Sequence, residues 1–350
     1  MPKSALAIGI DQYESRKAPN LRGCIDDSNR IAKRLHWHED GSLNFETETL
    51  SNPTRLTMQK KIKQLFSKDL ETVVLYFSGH GTIDETANRG FLISADGEEG
   101  AWGVGLSDIL MWANEAYPRI SNSVIILDCC YSGDMGAGAY DNVSNDGDLA
   151  HVRTGVTIMT ASKRNEEAFI VDGRSVFTKI LLQGLDGEAA DVVGSITSAS
   201  LYAHVDRSLL NSQQRPVYKA NVQRFSTIRT VHSALSEADL RALPALFPDD
   251  DQYYELDPSC EPLTVADRAD RYEATLSIAF KKDNQARYRL LQRFNREGLV
   301  VPVGAEHMWE AAVDSKGCRL TQRGMHYLYL AKIGRFGQPI TDISDMQAAP

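Results

Sequence analysis

The sequence lacks a cationic excess, a long apolar run and any closely spaced cysteine pair of the C-x-x-C type. Its 350 residues carry 38 Lys and Arg against 47 Asp and Glu, a net charge of −9. That balance argues against a nucleic-acid binder that depends on bulk charge. No apolar run approaches the roughly 18 residues of a membrane-spanning helix, so no membrane contact is expected.

The cysteine pattern and the first residues both indicate a reducing cytoplasm. Five cysteines are scattered at positions 24, 129, 130, 260 and 318, which is not a disulfide framework. Without C-x-x-C pairs a structural zinc site is not indicated, and no cofactor is expected. The start, MPKSALAIGIDQY, is a short apolar run that is not typical of a secretory signal.

Continuous apolar segments alternate with amphipathic ones along the first two thirds of the chain. Strands are predicted at 4–10, 72–79, 123–128 and 155–162. A last strand is predicted at 215–221, where Pro216 indicates either an edge strand or the start of a strand. Such strands between helices predict a mostly parallel sheet covered on both faces. In such sheets the functional site lies beyond the carboxyl ends of the strands.

A histidine and a cysteine follow two of these predicted strands. His80 lies in SGHG and Cys130 in DCCYSG, 50 residues further on, which is about the His-to-Cys separation of caspases. Alone, the His could be a solvated residue and the Cys a core residue. Together at one sheet edge they favour nucleophilic catalysis, in which the imidazole activates the thiol. The N–H groups of Gly81 and Cys130 are the candidate oxyanion donors.

A set of motifs in the expected order carries a family resemblance over residues 4 to 222. The motifs are ALAIGIDQYE, LRGCIDD, VVLYFSGHG, SVIILDCCYSG, TASKRNEEA, SVFTKILLQGL and QRPVY. The chain resembles the caspase-like cysteine peptidases, in particular the metacaspase and bacterial caspase-homologue branch. The resemblance implies a three-layer α/β/α sandwich with a mostly parallel sheet.

The resemblance assigns roles to individual residues. His80 matches the catalytic His, and Cys130 matches the nucleophile of the Asp-x-Cys-x-Ser-Gly pattern, with Cys129 at its variable position. Tyr131 stands where the family usually has His, and the Gln-Ala-Cys-x-Gly form of true caspases is absent. Asp27 and Asp128 match acids that select Arg or Lys at P1, the substrate residue before the cleaved bond. Asp27 could instead lie on a solvated helix face or cap a helix, and Asp128 could be a structural strand-end residue.

The segment 134–154, rich in Gly, Asp and Asn, is predicted to be a long functional loop. The resemblance implies that this loop is cut during activation, and Arg153 is its only basic residue. Its acids offer weak candidate calcium ligands, against the alternative of a solvated loop: Asp141, Asp146 and Asp148. Glu166 and Glu167 are weak candidates for the rim of the substrate cleft.

Three regions are expected: a peptidase domain at 1–230, a linker at 231–265 and a small, mainly helical, winged-helix-like domain at 266–350. The third region is expected to bind a regulatory partner. Basic residues near its end leave a nucleic-acid role as a remoter alternative: Arg319, Arg323, Lys332 and Arg335.

The sequence therefore predicts a cytoplasmic cysteine endopeptidase that cleaves protein or peptide substrates after Arg or Lys. The resemblance adds a regulated role in a bacterial stress or defence pathway. The competing hypothesis is a catalytically silent caspase-like scaffold that acts by protein binding.

Overall fold

A computed structural model describes residues 2–84, 89–129, 152–161, 170–171, 174–209, 216–248, 253–260 and 282–340. The chain divides into two compact units, residues 1–232 and 233–350. Within the described ranges no helix combines the length and the apolar character needed to cross a membrane.

The first unit contains thirteen described strands and five described α-helices. In chain order they are β1 (Lys3–Gly9), α1 (Cys24–His36), β2 (Glu46–Ser51), α2 (Arg55–Phe66), β3 (Leu70–Ser78), β4 (Gly81–Asp84), β5 (Arg89–Glu98), β6 (Ala101–Gly105), α3 (Leu106–Ala116), β7 (Ile120–Asp128), β8 (Val156–Thr160), β9 (Ile170–Val171), β10 (Arg174–Ser175), α4 (Val176–Gln183), β11 (Ser195–Thr197), α5 (Ser198–Ser208), β12 (Val217–Asn221) and β13 (Thr227–Thr230).

Six strands form the central sheet in the order β12-β8-β7-β3-β1-β2. All neighbouring pairs are parallel except β12 with β8, which is antiparallel. Pro216 precedes β12, which is an edge strand. A residue without an N–H is tolerated there, because an edge strand forms hydrogen bonds with only one neighbouring strand. The mostly parallel α/β sheet predicted from the sequence is confirmed.

Apolar side chains on the two sides of this sheet form two separate clusters. One joins the sheet to α2 and α3 through residues such as Ile62, Phe77 and Ile109. The other joins it to α1, α4 and α5 through residues such as Ile31, Phe177 and Leu201. Because both faces are covered, the interior strands are almost continuously apolar, as parallel strands must be.

The segment between His80 and β7 has a structure that the sequence pattern did not predict. There the chain forms a small antiparallel sheet, β4-β5-β6, followed by α3. The register between β5 and β6 shifts between Ile93 and Glu98. That shift interrupts the two-residue alternation by which a strand is recognised in sequence.

The second unit contains α6 (Glu237–Arg241), α7 (Leu243–Leu246), β14 (Tyr253–Glu255), α8 (Lys282–Arg296), β15 (Val300–Val303), α9 (Met308–Val313), β16 (Gly317–Leu320) and α10 (Gln322–Lys332). The three strands described in this unit form an antiparallel sheet in the order β14-β16-β15. The segment expected to be a linker, 231–265, contributes α6, α7 and β14 to this unit. The segment differs from a solvated linker because Leu240, Leu243 and Leu246 are buried, whereas a linker would leave such side chains exposed to solvent.

Gly9, at the end of β1, fixes how closely α1 approaches the sheet. A Cβ at this position would lie 2.4 Å from the carbonyl oxygen of Cys24 and 2.6 Å from Cα of Ile25. Both atoms belong to the backbone of α1 and cannot move without displacing the helix. We expect Gly9→Ala to lower the free energy of unfolding by about 1–3 kcal/mol, measured by urea denaturation of the full chain.

The matched control is Gly41→Asn. Gly41 has φ +81°, and no atom lies within 4 Å of the point that a Cβ would occupy there. Asn tolerates this left-handed region best after Gly. The variant should stay within about 0.5 kcal/mol of the parent chain. Equal losses in the two variants would show that the contact with α1 is not the cause.

Candidate active site

The carboxyl ends of β3 and β7 bring the two predicted catalytic segments to one edge of the sheet. Ser78, the last residue of β3, is the register partner of Asp128, the last residue of β7. The N–H of Gly79 donates to the carbonyl oxygen of Asp128 at 3.3 Å. The turn that carries His80 therefore begins beside the end of the strand that leads to the two cysteines.

Of these cysteines, Cys129 is described and Cys130 lies outside the described residues. Cys129 is buried and belongs to the cluster on the α2–α3 side of the sheet. This position agrees with a packing role for Cys129. The predicted role of Cys130 as nucleophile stays a prediction.

His80 forms one hydrogen bond through its ring and two through its backbone, where its carbonyl oxygen accepts the N–H of Ile93 at 2.9 Å and its N–H donates to Tyr13. Nε2 lies 2.8 Å from the carbonyl oxygen of Pro19. Because a carbonyl oxygen only accepts, Nε2 carries the proton and Nδ1 of the neutral ring keeps its lone pair. Burial lowers the pKa of His80, although the bond to Pro19 opposes this shift. A neutral imidazole with its lone pair on Nδ1 can accept a thiol proton.

Tyr13 is the second residue that holds His80, and no role for it was predicted from the sequence. Its hydroxyl oxygen accepts the backbone N–H of His80 at 2.8 Å. The two rings lie 4.9 Å apart. Tyr13 belongs to the motif ALAIGIDQYE, so the signal was present in the sequence, but only the fold shows what the side chain contacts.

The loop between β1 and α1 supplies the contacts of Pro19 and Tyr13 with His80. Asn52 adopts a left-handed backbone conformation with φ 47°, and its Oδ1 accepts the N–H groups of Asp11 and Gln12. Asp11 Oδ1 in turn accepts the N–H of Cys24 at 2.8 Å. These hydrogen bonds hold the start of the loop against Asn52 and against Cys24, the first residue of α1.

Gly79 is needed for the close approach of Tyr13 to this turn. A Cβ on Gly79 would lie 2.7 Å from the Tyr13 hydroxyl and 2.9 Å from the ring of Phe77. Gly81, the predicted oxyanion donor, begins β4 one residue after His80. The other predicted donor, the N–H of Cys130, lies outside the described residues.

The two predicted pocket acids, Asp27 and Asp128, lie next to each other and are both buried. Ser175 joins them, because its N–H donates to Asp27 Oδ2 at 3.4 Å and its side chain hydrogen-bonds to Asp128. Thr178 also donates to Asp128 Oδ2, at 2.5 Å. Within the described part of the chain, neither carboxylate forms an ion pair with a Lys or Arg side chain.

Burial and mutual repulsion make this acid pair hard to ionise fully. Burial, followed by the charge of Asp128, raises the pKa of Asp27 to about 6. Burial also raises the pKa of Asp128, against the opposing effect of its hydroxyl hydrogen bonds. A cation that contacts both carboxylates would stabilise the ionised form of such a pair, because its charge offsets their mutual repulsion.

Cys24 lies in the same region without the properties of a nucleophile. Its side chain hydrogen-bonds to Ser78, and burial raises the pKa of the thiol to about 12. At neutral pH this group remains a protonated thiol. The region thus contains a described cysteine that does not compete for the catalytic role.

Arg153, the predicted processing site, lies away from this group. It is exposed and precedes β8, and its N–H donates to Asn114 Oδ1 on α3. His80 follows the carboxyl end of β3, whereas Arg153 precedes the amino end of β8, which runs in the same direction, so the two residues lie at opposite edges of the sheet. The structure does not bring Arg153 to the site of its own molecule.

The remaining candidates fall outside the described residues: Asp141, Asp146, Asp148, Glu166 and Glu167. Across the described ranges, no group of three or more His, Cys, Asp and Glu side chains is arranged to hold a metal ion. The calcium hypothesis stays a prediction.

A mostly parallel α/β sheet covered on both faces, with a half-buried His at its carboxyl edge, is the arrangement expected of a caspase-like protein. The profile of the Caspase domain family matches residues 2–227. The chain belongs to this family, which is one of cysteine peptidases.

One of two similar solved structures gives a likeness in fold, with a TM-score of 0.50. Protein GSU0716 from Geobacter sulfurreducens has 17% identity and a TM-score of 0.50, with 66% of this chain and all of that chain covered. Caspase-1 from Spodoptera frugiperda has 13% identity and a TM-score of 0.49, with 67% and 92% covered. The comparison with curated proteins found no match.

The contact between Tyr13 and His80 leads to a prediction that does not depend on activity. Tyr13→Phe leaves the backbone N–H of His80 without its acceptor, so we expect the turn to loosen and admit water. The pKa of His80 should then rise towards the ordinary value of about 6.5, because less burial penalises the charged ring less. An NMR titration of the histidine ring measures this change.

Tyr117→Phe serves as the control, since Tyr117 is partly exposed at the end of α3, away from His80. It should leave the titration of His80 unchanged. If the pKa of His80 is the same in Tyr13→Phe as in the parent chain, the hydroxyl does not hold the turn.

Proposed function

We propose that this chain is a cysteine endopeptidase that hydrolyses peptide bonds after Arg or Lys. The observation that supports the specificity is the buried pair Asp27 and Asp128, which no described cation neutralises and which lies at the sheet edge of His80. A guanidinium or ammonium group would satisfy both carboxylates, and an acidic P1 side chain would be repelled.

In this proposal the steps of hydrolysis follow from the tautomer of His80. Nδ1 accepts the proton of the Cys130 thiol, and the thiolate attacks the scissile carbonyl carbon. The N–H groups of Gly81 and Cys130 stabilise the oxyanion. The imidazolium gives its proton to the leaving amine, and water then hydrolyses the thioester to release the acid and the thiol.

The specificity is tested with peptide reporters that differ only at P1. We expect kcat/KM for Arg and Lys to exceed that for Asp by at least about 100-fold, because an unneutralised buried charge is costly. Cys130→Ala should abolish cleavage, whereas the adjacent Cys129→Ala should retain it. Preferred cleavage after Asp would refute the acidic pocket.

If no reporter is cleaved, an Arg-directed covalent inhibitor separates the remaining alternatives. Labelling of Cys130 would show a competent nucleophile with a narrower sequence requirement. Absence of labelling would favour the catalytically silent scaffold.

The raised pKa of Asp27 predicts a pH-dependent KM. Below about pH 6 Asp27 is protonated in the free protein, and the pocket carries less negative charge. KM for an Arg reporter should therefore fall as the pH rises from about 5 to about 7.5. A reporter series at several pH values measures this effect, and Asp27→Asn should remove it. A KM that does not vary with pH in the parent chain would contradict the proposed role of Asp27.

A stress or defence pathway, and control by a partner that binds the second unit, are further parts of this proposal and rest on the family resemblance.

A further inference from the structure

A chain of buried hydroxyl groups leads from the centre of the sheet to Asp128. Tyr76 lies on β3 and Thr178 in the first turn of α4, and neither side chain is exposed to solvent. The hydroxyl oxygens of Tyr76 and Thr178 are 2.6 Å apart, and Thr178 Oγ1 is 2.5 Å from Asp128 Oδ2. We refer to Tyr76, Thr178 and Asp128 as the hydroxyl relay.

The proton positions in the hydroxyl relay follow from the chemistry of its members. An ionised carboxylate only accepts hydrogen bonds, so Thr178 must donate its single proton to Asp128. In the bond between Tyr76 and Thr178 Oγ1 the donor is then Tyr76, whose hydroxyl also hydrogen-bonds to Asp128 itself. The backbone N–H of Thr178 donates to Ser175 Oγ at 3.2 Å, which fixes the start of α4 beside the acid pair. Both hydroxyl groups of the relay therefore donate in the direction of the carboxylate.

This arrangement opposes the cost of burying Asp128. Burial disfavours the carboxylate, whereas hydrogen bonds from hydroxyl groups favour it over the neutral acid. We propose that Thr178, oriented by Tyr76, is a positioning residue that keeps Asp128 ionised and directed towards Asp27, and so sets the affinity of the pocket for a cationic side chain. The inference rests on the proposed preference for a basic P1 residue.

Other charged and titratable groups near the acid pair belong to α1, the loop before it, β3 and β10. They are Asp11, Cys24, Asp26, Arg30, Tyr76 and Arg174. Arg30 and Arg174 both pair with Asp26, the exposed neighbour of Asp27. Asp128 therefore depends on neutral hydroxyl donors, whereas Asp27 accepts the backbone N–H of Ser175.

Thr178→Val tests the proposal, because it keeps the shape of the side chain and removes the hydroxyl. We expect KM for an Arg reporter to rise about tenfold with kcat changed less than about twofold. The pH at which KM falls should also move upwards, since Asp128 becomes harder to ionise. Thr178→Ser restores the hydroxyl and should recover most of the parent KM.

Thr157→Val is the matched control. Thr157 is also buried, but it lies on β8 and its hydroxyl bonds to Tyr218 rather than to a carboxylate. It should leave KM and its pH dependence unchanged. If Thr178→Val does not fold, Tyr76→Phe replaces it, with a smaller change expected in the same direction.

A binding experiment separates this inference from the proposed activity. Calorimetry measures the affinity of the full-length Cys130→Ala chain for n-butylguanidinium, a probe that needs no catalysis. Binding that weakens about tenfold in Thr178→Val and recovers in Thr178→Ser supports the relay even if no peptide is cleaved. Absence of binding to the parent chain, or equal affinity and an unchanged KM in Thr178→Val, would overturn it.

Discussion

The arrangement of two buried carboxylates side by side is the constraint on which the proposed chemistry of this protein depends. Asp27 and Asp128 come from α1 and β7, and they meet only because β1 and β7 are parallel strands whose carboxyl ends face the same edge. Burial raises the pKa of both groups, and the charge of Asp128 adds to the shift at Asp27. The fold surrounds this pair with donors from Ser175 and Thr178, and in the proposed function a basic substrate side chain neutralises it.

The position of His80 depends on a second set of contacts, two of which come from the loop between β1 and α1. Pro19 fixes the tautomer of the ring, and Tyr13 fixes the backbone of the turn. Asn52 stabilises the loop at the cost of a left-handed backbone conformation. The same loop joins β1 to α1, the helix that presents Asp27. Gly9, at the end of β1, allows this helix to approach the sheet closely.

The sequence predicted the central sheet because its interior strands are continuously apolar, a pattern that can be recognised without knowledge of their partners. No elements were predicted for 81–116, where a register shift interrupts the alternation in the β4-β5-β6 sheet. The order of the motifs placed the turn of His80 and the end of the Asp128 strand at one sheet edge, where the structure has them. The sequence did not indicate the contacts of the hydroxyl groups of Tyr13, Tyr76 and Thr178. In sequence, a hydroxyl-bearing residue within an apolar segment cannot be distinguished from an ordinary core residue.

The sequence by itself determined which residues are available at the carboxyl edge, because strand ends and glycine-flanked turns are local features of the chain. Only the tertiary structure decided which of them act together. Thr178 is 50 residues from Asp128 and Tyr13 is 67 residues from His80, and hydrogen bonds across such separations exist only once the layers have packed. The tautomer of His80 and the ionisation of the acid pair follow from those contacts, since both depend on which donors and acceptors the fold brings within reach.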